Sequence, residues 1–254
     1  IQKAESPEER EEIIAKGKEI KAKLDEKEPL YLAVKCQYDA LMVQVPNIIS
    51  PDTPIGKSED ENVEVSVFGP LPKFDFAPKT HIELGKSLDI LDLERGAKVA
   101  GYRGYYLKNE GMLLVMGLMM YAVQKMVEKG YAPMIPPTLT KPFPLFGSGY
   151  FKGLEYESDV DEIYQVATSD KEADGSSSKE GKFLVGTAEP SLLAYYSGEV
   201  LEESALPLRL SGFSQCYRSE IGSYGKDTKG MYGVLEFMMV ELVVLAPADM
   251  TLAN

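Results

Sequence analysis

The sequence predicts an α+β fold: an antiparallel sheet flanked by helices, with a helical arm at its N-terminal end. Three stretches carry that expectation. Residues 208–245 hold two apolar-rich runs, LRLSGFSQCYRSE and YGVLEFMMVELVVL. The segment between them, IGSYGKDTKGM, mixes glycines with Lys226, Asp227 and Lys229, which marks the loop of a long β-hairpin. Residues 111–130 are apolar nearly all round, as in a buried helix. Residues 5–27 are densely charged, with Ile13, Ile20 and Leu24 at heptad-like spacing and Gly17 between them.

A chain of 254 residues can hold one or two domains with a sizeable core. Its 44% hydrophobic and 26% charged content is that of a soluble globular protein. No run of about 18 apolar residues is present, so no membrane span is expected. The N-terminus reads as a charged helix rather than a signal peptide. Cys36 and Cys216 lie too far apart in sequence for a disulfide framework or a metal cluster, which fits a reducing cytoplasm. The net charge of −13 argues against non-specific nucleic-acid binding but allows a local basic patch. A lone histidine, His81, argues against histidine-built metal sites and triads.

In chain order, the arm is interrupted at Pro29, and a second helical run follows through Leu30, Val34, Tyr38, Leu41 and Val45. A Pro- and Asp-rich loop at 51–61 leads to NVEVSVF at 62–68, which alternates as a strand. A short helix is expected at 81–88, with His81 capping or packing, and a strand around 102–107. The apolar helix stops at Gly130. Residues 145–151, LFGSGYF, read as a glycine turn. No Lys-Ser/Thr follows, so it is not a phosphate loop. Strands at 163–168 and 182–186 should pair around the Ser/Gly tract 175–181. Thr187 then opens a helix as N-cap, with Glu189 in its first turn.

Alternation along the hairpin gives the chemistry. Gly212, Ser214, Cys216, Arg218 and Glu220 fall on one face, small residues forming an open floor that ends in two charged groups. On the return strand Gly233, Leu235, Phe237, Met239 and Glu241 share a face. If the faces coincide, a planar guanidinium suited to phosphate, a ring suited to a base, and carboxylates that accept from amines meet in one site. The plain alternative is an ordinary hairpin with a surface Arg–Glu pair.

Tyr217-Arg218-Ser219-Glu220, a loop, then Phe237 and Glu241 resemble the second signature motif of class II aminoacyl-tRNA synthetases. The string RSEIGSYGKDTKGMY looks specifically like the seryl-tRNA synthetase family, as does FDFAPKTHIELGKSLDILDLERGAKVAGYRGYYLKNEG ahead of it. The resemblance implies a class II synthetase-type sheet. It divides the chain into one leg of a tRNA-binding coiled-coil arm (1–45) and a partial catalytic domain (46–254). The implied reaction is ATP-dependent activation of L-serine and transfer to tRNA(Ser), in a cytoplasmic homodimer with ATP and Mg²⁺. The dimer interface would be the helix 111–130 with Met134 and Pro137-Thr138-Leu139. Carried over by motif, Arg218 is catalytic, meeting the α-phosphate and the serine carboxylate. Thr187, Ala188, Glu189, Arg218 and Glu241 hold serine. Arg218, Ser219, Glu220, Val234 and Phe237 hold ATP. No metal ligand is assigned.

The resemblance also implies a chain shortened at both ends, since a second arm helix and a third motif are not in it. The family's second motif carries a basic residue at the position of Gly233, a histidine at that of Leu235 and usually a lysine at that of Met239. All three are expected to face the site. Two lost charge-assisted contacts, at about 1.5–3 kcal/mol each, imply a rate deficit of about a hundredfold or more with the fold retained. Two other functions remain open. One is a non-catalytic or engineered synthetase-like protein. The other is an amino acid:carrier-protein ligase, against which the helical leg argues.

Overall fold

The computed structural model describes residues 6–46, 48–151, 156–158, 160–167, 171, 181–220 and 229–247. The chain forms two compact units, Ile1–Leu71 and Pro72–Asn254. In the first, α1 (Pro7–Met42) is one helix of 36 residues. The expected interruption at Pro29 does not occur. Proline removes one backbone bond, but good helix formers on both sides and the pairs Glu12–Lys16, Glu19–Lys23 and Lys35–Asp39 hold the turn-to-turn register. The expected strand at 62–68 is also absent. Val65 and Phe68 are fully or nearly fully exposed and no neighbouring strand pairs with the segment, so alternation there has nothing to bury against.

The second unit begins with α2 (His81–Ser87), closed by a capping box. The Thr80 hydroxyl accepts from Glu83 N–H at 3.2 Å, and the Glu83 carboxylate accepts from Thr80 N–H at 2.8 Å. Thr80 rather than His81 is thus the cap. β1 (Leu91–Asp92) pairs antiparallel with β2 (Tyr106–Leu107), and α3 (Leu93–Ala100) between them is capped by Asp92. α4 (Asn109–Glu128) leads to β3 (Ala132–Met134). β4 (Leu139–Thr140), α5 (Pro142–Gly147), β5 (Tyr164–Val166), β6 (Lys182–Leu184) and α6 (Glu189–Leu193) precede the hairpin of β7 (Leu208–Tyr217) and β8 (Glu236–Leu245). The predicted pairing of the strands near 164 and 183 is present, Tyr164 opposite Leu184. The Ser/Gly tract at 175–180 and the hairpin loop at 221–228 lie outside the described residues.

The architecture is α+β, as expected, but the sheet is not one antiparallel surface. β3 joins β7 in parallel, β7 pairs antiparallel with β8, and β4–β6–β5 form a separate antiparallel sheet. Two cores result. Leu145, Phe151, Ile163, Phe183 and Val185 pack around the second sheet, with Phe151, Tyr156 and Phe183 in edge and tilted contact. Ala188 and Leu192 of the α6 region pack on Leu210 and Val243 of the hairpin.

α4 is not buried within a single chain. Its only buried residue is Gly111, while Leu113, Leu114 and Leu118 are at least 60% exposed. By length and composition alone this helix is long and apolar enough to cross a membrane. One side of it contacts β3, β7 and β8, and the other stands open.

Candidate functional site

The hairpin register decides which side chains meet. Gly212 lies opposite Glu241, Ser214 opposite Met239 and Cys216 opposite Phe237, so the two predicted faces are one face. Its floor is not open along its whole length. A Cβ at Gly212 would stand 3.0 Å from Leu192 and 3.2 Å from Ala188, so α6 covers that end. Glycine is what lets the helix sit so close to the strand.

α6 also delivers the polar pair. The Thr187 hydroxyl, 4% exposed, donates to the Glu241 carboxylate at 2.8 Å and accepts from Glu189 N–H at 3.3 Å. The helix start differs from the predicted one, with Ala188 at the N-cap position and Thr187 one residue earlier. Thr187 thus ties the helix start to the far strand. Ala188 is fully buried beneath it, and Glu189 is exposed at the first helical position.

Arg218 sits just past the end of β7. Its backbone N–H donates to Leu235 O at 3.0 Å, and Tyr217 N–H donates to Val185 O at 2.8 Å, which stitches the hairpin to the segment carrying Thr187. The guanidinium donates through Nε to Gly186 O at 3.1 Å and lies 5.4 Å from the centre of the Phe237 ring. Tyr150, which the sequence reading did not single out, also reaches it. The phenol lies near the Arg218 guanidinium, and a side chain at Gly186 would collide with that hydroxyl. Burial pushes the Tyr150 phenol up, and the nearby guanidinium partly offsets this. Burial likewise pushes the Cys216 thiol up, with Ser214 and Arg218 opposing. A cation held by a carbonyl and a ring keeps its orientation.

The remaining predicted residues are arranged differently. β7 ends at Tyr217, so alternation does not govern Glu220, which has a left-handed backbone (φ 52°) and pairs with Arg103 at 3.7 Å. Ser219 N–H donates to Glu162 O at 3.3 Å, and its hydroxyl is buried. Val234 is buried just before β8. Of Gly233, Leu235 and Met239, all expected on the site face, Met239 lies in strand register with the site, and Leu235 lies opposite Arg218 as the register continues, its O accepting from Arg218 N–H. β8 begins at Glu236; Gly233 lies in a turn at φ 60°, off the strand alternation, and faces the Arg103–Glu220 pair. His81 supports this turn: its Nε2 accepts from Met231 N–H at 3.0 Å, and its ring packs edge-on to Tyr232.

Residues 164–252 match the tRNA synthetase class II core domain (G, H, P, S and T). The serine--tRNA ligase of Corynebacterium kroppenstedtii is 41% identical over 237 residues, 93% of this chain and 52% of that protein. That of Borrelia garinii subsp. bavariensis is 37% identical over the same shares of both. Among solved structures, the seryl-tRNA synthetase from Pyrococcus horikoshii complexed with ATP is similar with a TM-score of 0.74 at 31% identity, over 96% of this chain and 55% of that one. The cytoplasmic serine-tRNA ligase from Naegleria fowleri in complex with AMP has the same TM-score at 28% identity, over 88% and 50%. This chain spans about half the length of the curated relatives it matches.

Proposed function

Because this chain carries a class II tRNA synthetase core of the seryl-tRNA synthetase kind, we propose that it serves the ATP-dependent activation of L-serine and transfer of the seryl group to tRNA(Ser). The observation that carries the proposal is the shared hairpin face, with Arg218 over Phe237 at one end and Thr187 bound to Glu241 at the other.

The first step needs no general acid or base. A serine carboxylate oxygen attacks the α-phosphorus of ATP, the bond to the β-phosphate bridging oxygen breaks, and pyrophosphate leaves. Catalysis is then positioning and charge neutralisation. Arg218, already oriented by Gly186 and Phe237, is assigned to the α-phosphate and the serine carboxylate. Phe237 is assigned to the adenine ring, Glu220 to its amino group, and Ser219 and Val234 to the nucleotide's surroundings. Thr187, Ala188, Glu189 and Glu241 are assigned to serine, the carboxylates taking its ammonium and hydroxyl.

Among the described residues no three His, Cys, Asp or Glu side chains form a metal site. Mg²⁺ keeps much of its water and needs few protein carboxylates, so it would come with the nucleotide, and no protein ligand is assigned to it. When bound, it would supply neutralisation of phosphate charge. The open side of α4 is assigned to a second copy of the chain, and α1 to tRNA. A cytoplasmic setting follows from the substrates.

Titration calorimetry with serine, threonine and alanine tests the pocket. Serine should bind best, since threonine adds a methyl group and alanine leaves the hydroxyl's partners unmatched. Alanine binding as tightly as serine would remove the assignment of Thr187 and Glu241.

A further inference from the structure

Arg103 lies outside the hairpin, within the stretch at 74–111, and has no role in the site as described above. Its side chain is 6% exposed, its guanidinium stacks 5.4 Å from the Tyr102 ring centre, and Nη1 lies 3.7 Å from Glu220 Oε2, on a side chain 19% exposed. Both residues of the pair have left-handed backbones, φ 71° at Arg103 and φ 52° at Glu220. Such conformations are unfavourable for residues with a Cβ, and they persist where the surroundings over-determine them, often at functional sites. Gly233 is a third left-handed residue against the same pair. A Cβ there would lie 3.5 Å from Arg103 Nη1 and 3.6 Å from Glu220 Oε2. Three such backbones converge on one ion pair, although a buried ion pair is a weak source of stability.

We propose that Arg103 is a positioning residue for adenine recognition. It fixes the Glu220 carboxylate in one orientation, so that the carboxylate accepts from the 6-amino group of the purine. The inference rests on the reading of Glu220 given under the proposed function. Arg103 acts through Glu220 and does not itself touch the nucleotide. A planar guanidinium orients a carboxylate in a way a free surface glutamate is not oriented. Position 233 adds to this. With glycine there, no side chain stands between the two charges or competes for the carboxylate.

The test compares ATP with purine riboside triphosphate, which lacks the 6-amino group, by calorimetry on the full chain and on Arg103→Met. The unsubstituted chain should prefer ATP. In Arg103→Met the ATP affinity should fall about tenfold, the scale of one weakened charge-assisted hydrogen bond, while affinity for the analogue stays the same. Arg103→Lys, which keeps the charge without the planar fork, should fall between them. Arg103→Gln is read in the same way if the Met variant does not fold. Equal losses for both nucleotides would show a structural role only and overturn the inference. So would a preference for ATP that survives in Arg103→Met. An unsubstituted chain that binds both nucleotides equally would instead overturn the adenine reading of Glu220, and this inference with it.

Discussion

Replacing Thr187 by Val should destabilise the second unit by about 1.5–2 kcal/mol. Valine matches threonine in shape, so no cavity forms and the change isolates the hydroxyl. That hydroxyl makes two bonds, one donated to the Glu241 carboxylate at 2.8 Å and one accepted from Glu189 N–H at 3.3 Å. A hydrogen bond to a charged group contributes about 1.5–3 kcal/mol. The lower part of that range applies because Glu241 is only partly buried and water can replace part of what it loses. Thr187→Ser is the control: it keeps the hydroxyl and loses one methyl, about 0.8 kcal/mol. Urea unfolding followed by circular dichroism should rank the unsubstituted chain above Thr187→Ser, and Thr187→Ser above Thr187→Val, at unchanged slope. If Thr187→Val is as stable as Thr187→Ser, the hydroxyl does not tie α6 to β8.

Gly233→Arg should lower stability by about 1–2 kcal/mol, because an L-residue would have to adopt φ 60° there; an unchanged urea midpoint would contradict that backbone. Met239→Lys, a departure in strand register with the site, should raise ATP–pyrophosphate exchange with serine on its own, and no gain would contradict its place on the site face. Exposed Cys36 should react with iodoacetamide at pH 8 while Cys216 does not, as peptide mass spectrometry would read. Burial raises the Cys216 thiol, so the folded state holds that proton more tightly. Its contribution to stability is therefore intact below the ordinary thiol range and is lost as pH rises through the raised value. Sedimentation at micromolar concentration should show a dimer that Leu114→Glu with Leu118→Glu dissociates; a monomeric unsubstituted chain would refute the role given to α4.

Where periodicity had a physical partner, the sequence was readable. β7 and β8 alternate because one face carries α6, and that alternation brought Cys216, Phe237 and Glu241 together as expected. Where the partner was missing, the same pattern misled: residues 62–68 alternate without a strand beside them. Alternation also failed once the backbone left the sheet. Glu220 and Gly233 take left-handed conformations that period-2 counting cannot represent, and this redirected both toward Arg103. Tyr150 was within reach of the sequence, since the glycine turn before it invites close packing. Arg103 was not, because nothing local ties it to residue 220.

The central claim is that one hairpin face binds the two reactants of serine activation side by side. A crystal structure of the chain with a non-hydrolysable seryl-adenylate analogue tests it most directly. The account predicts the purine against Phe237, with its amino group at Glu220. The phosphate mimic should lie at Arg218, and the seryl ammonium and hydroxyl between Thr187 and Glu241. An analogue bound elsewhere, or one with its seryl group turned away from Thr187 and Glu241, would contradict the account.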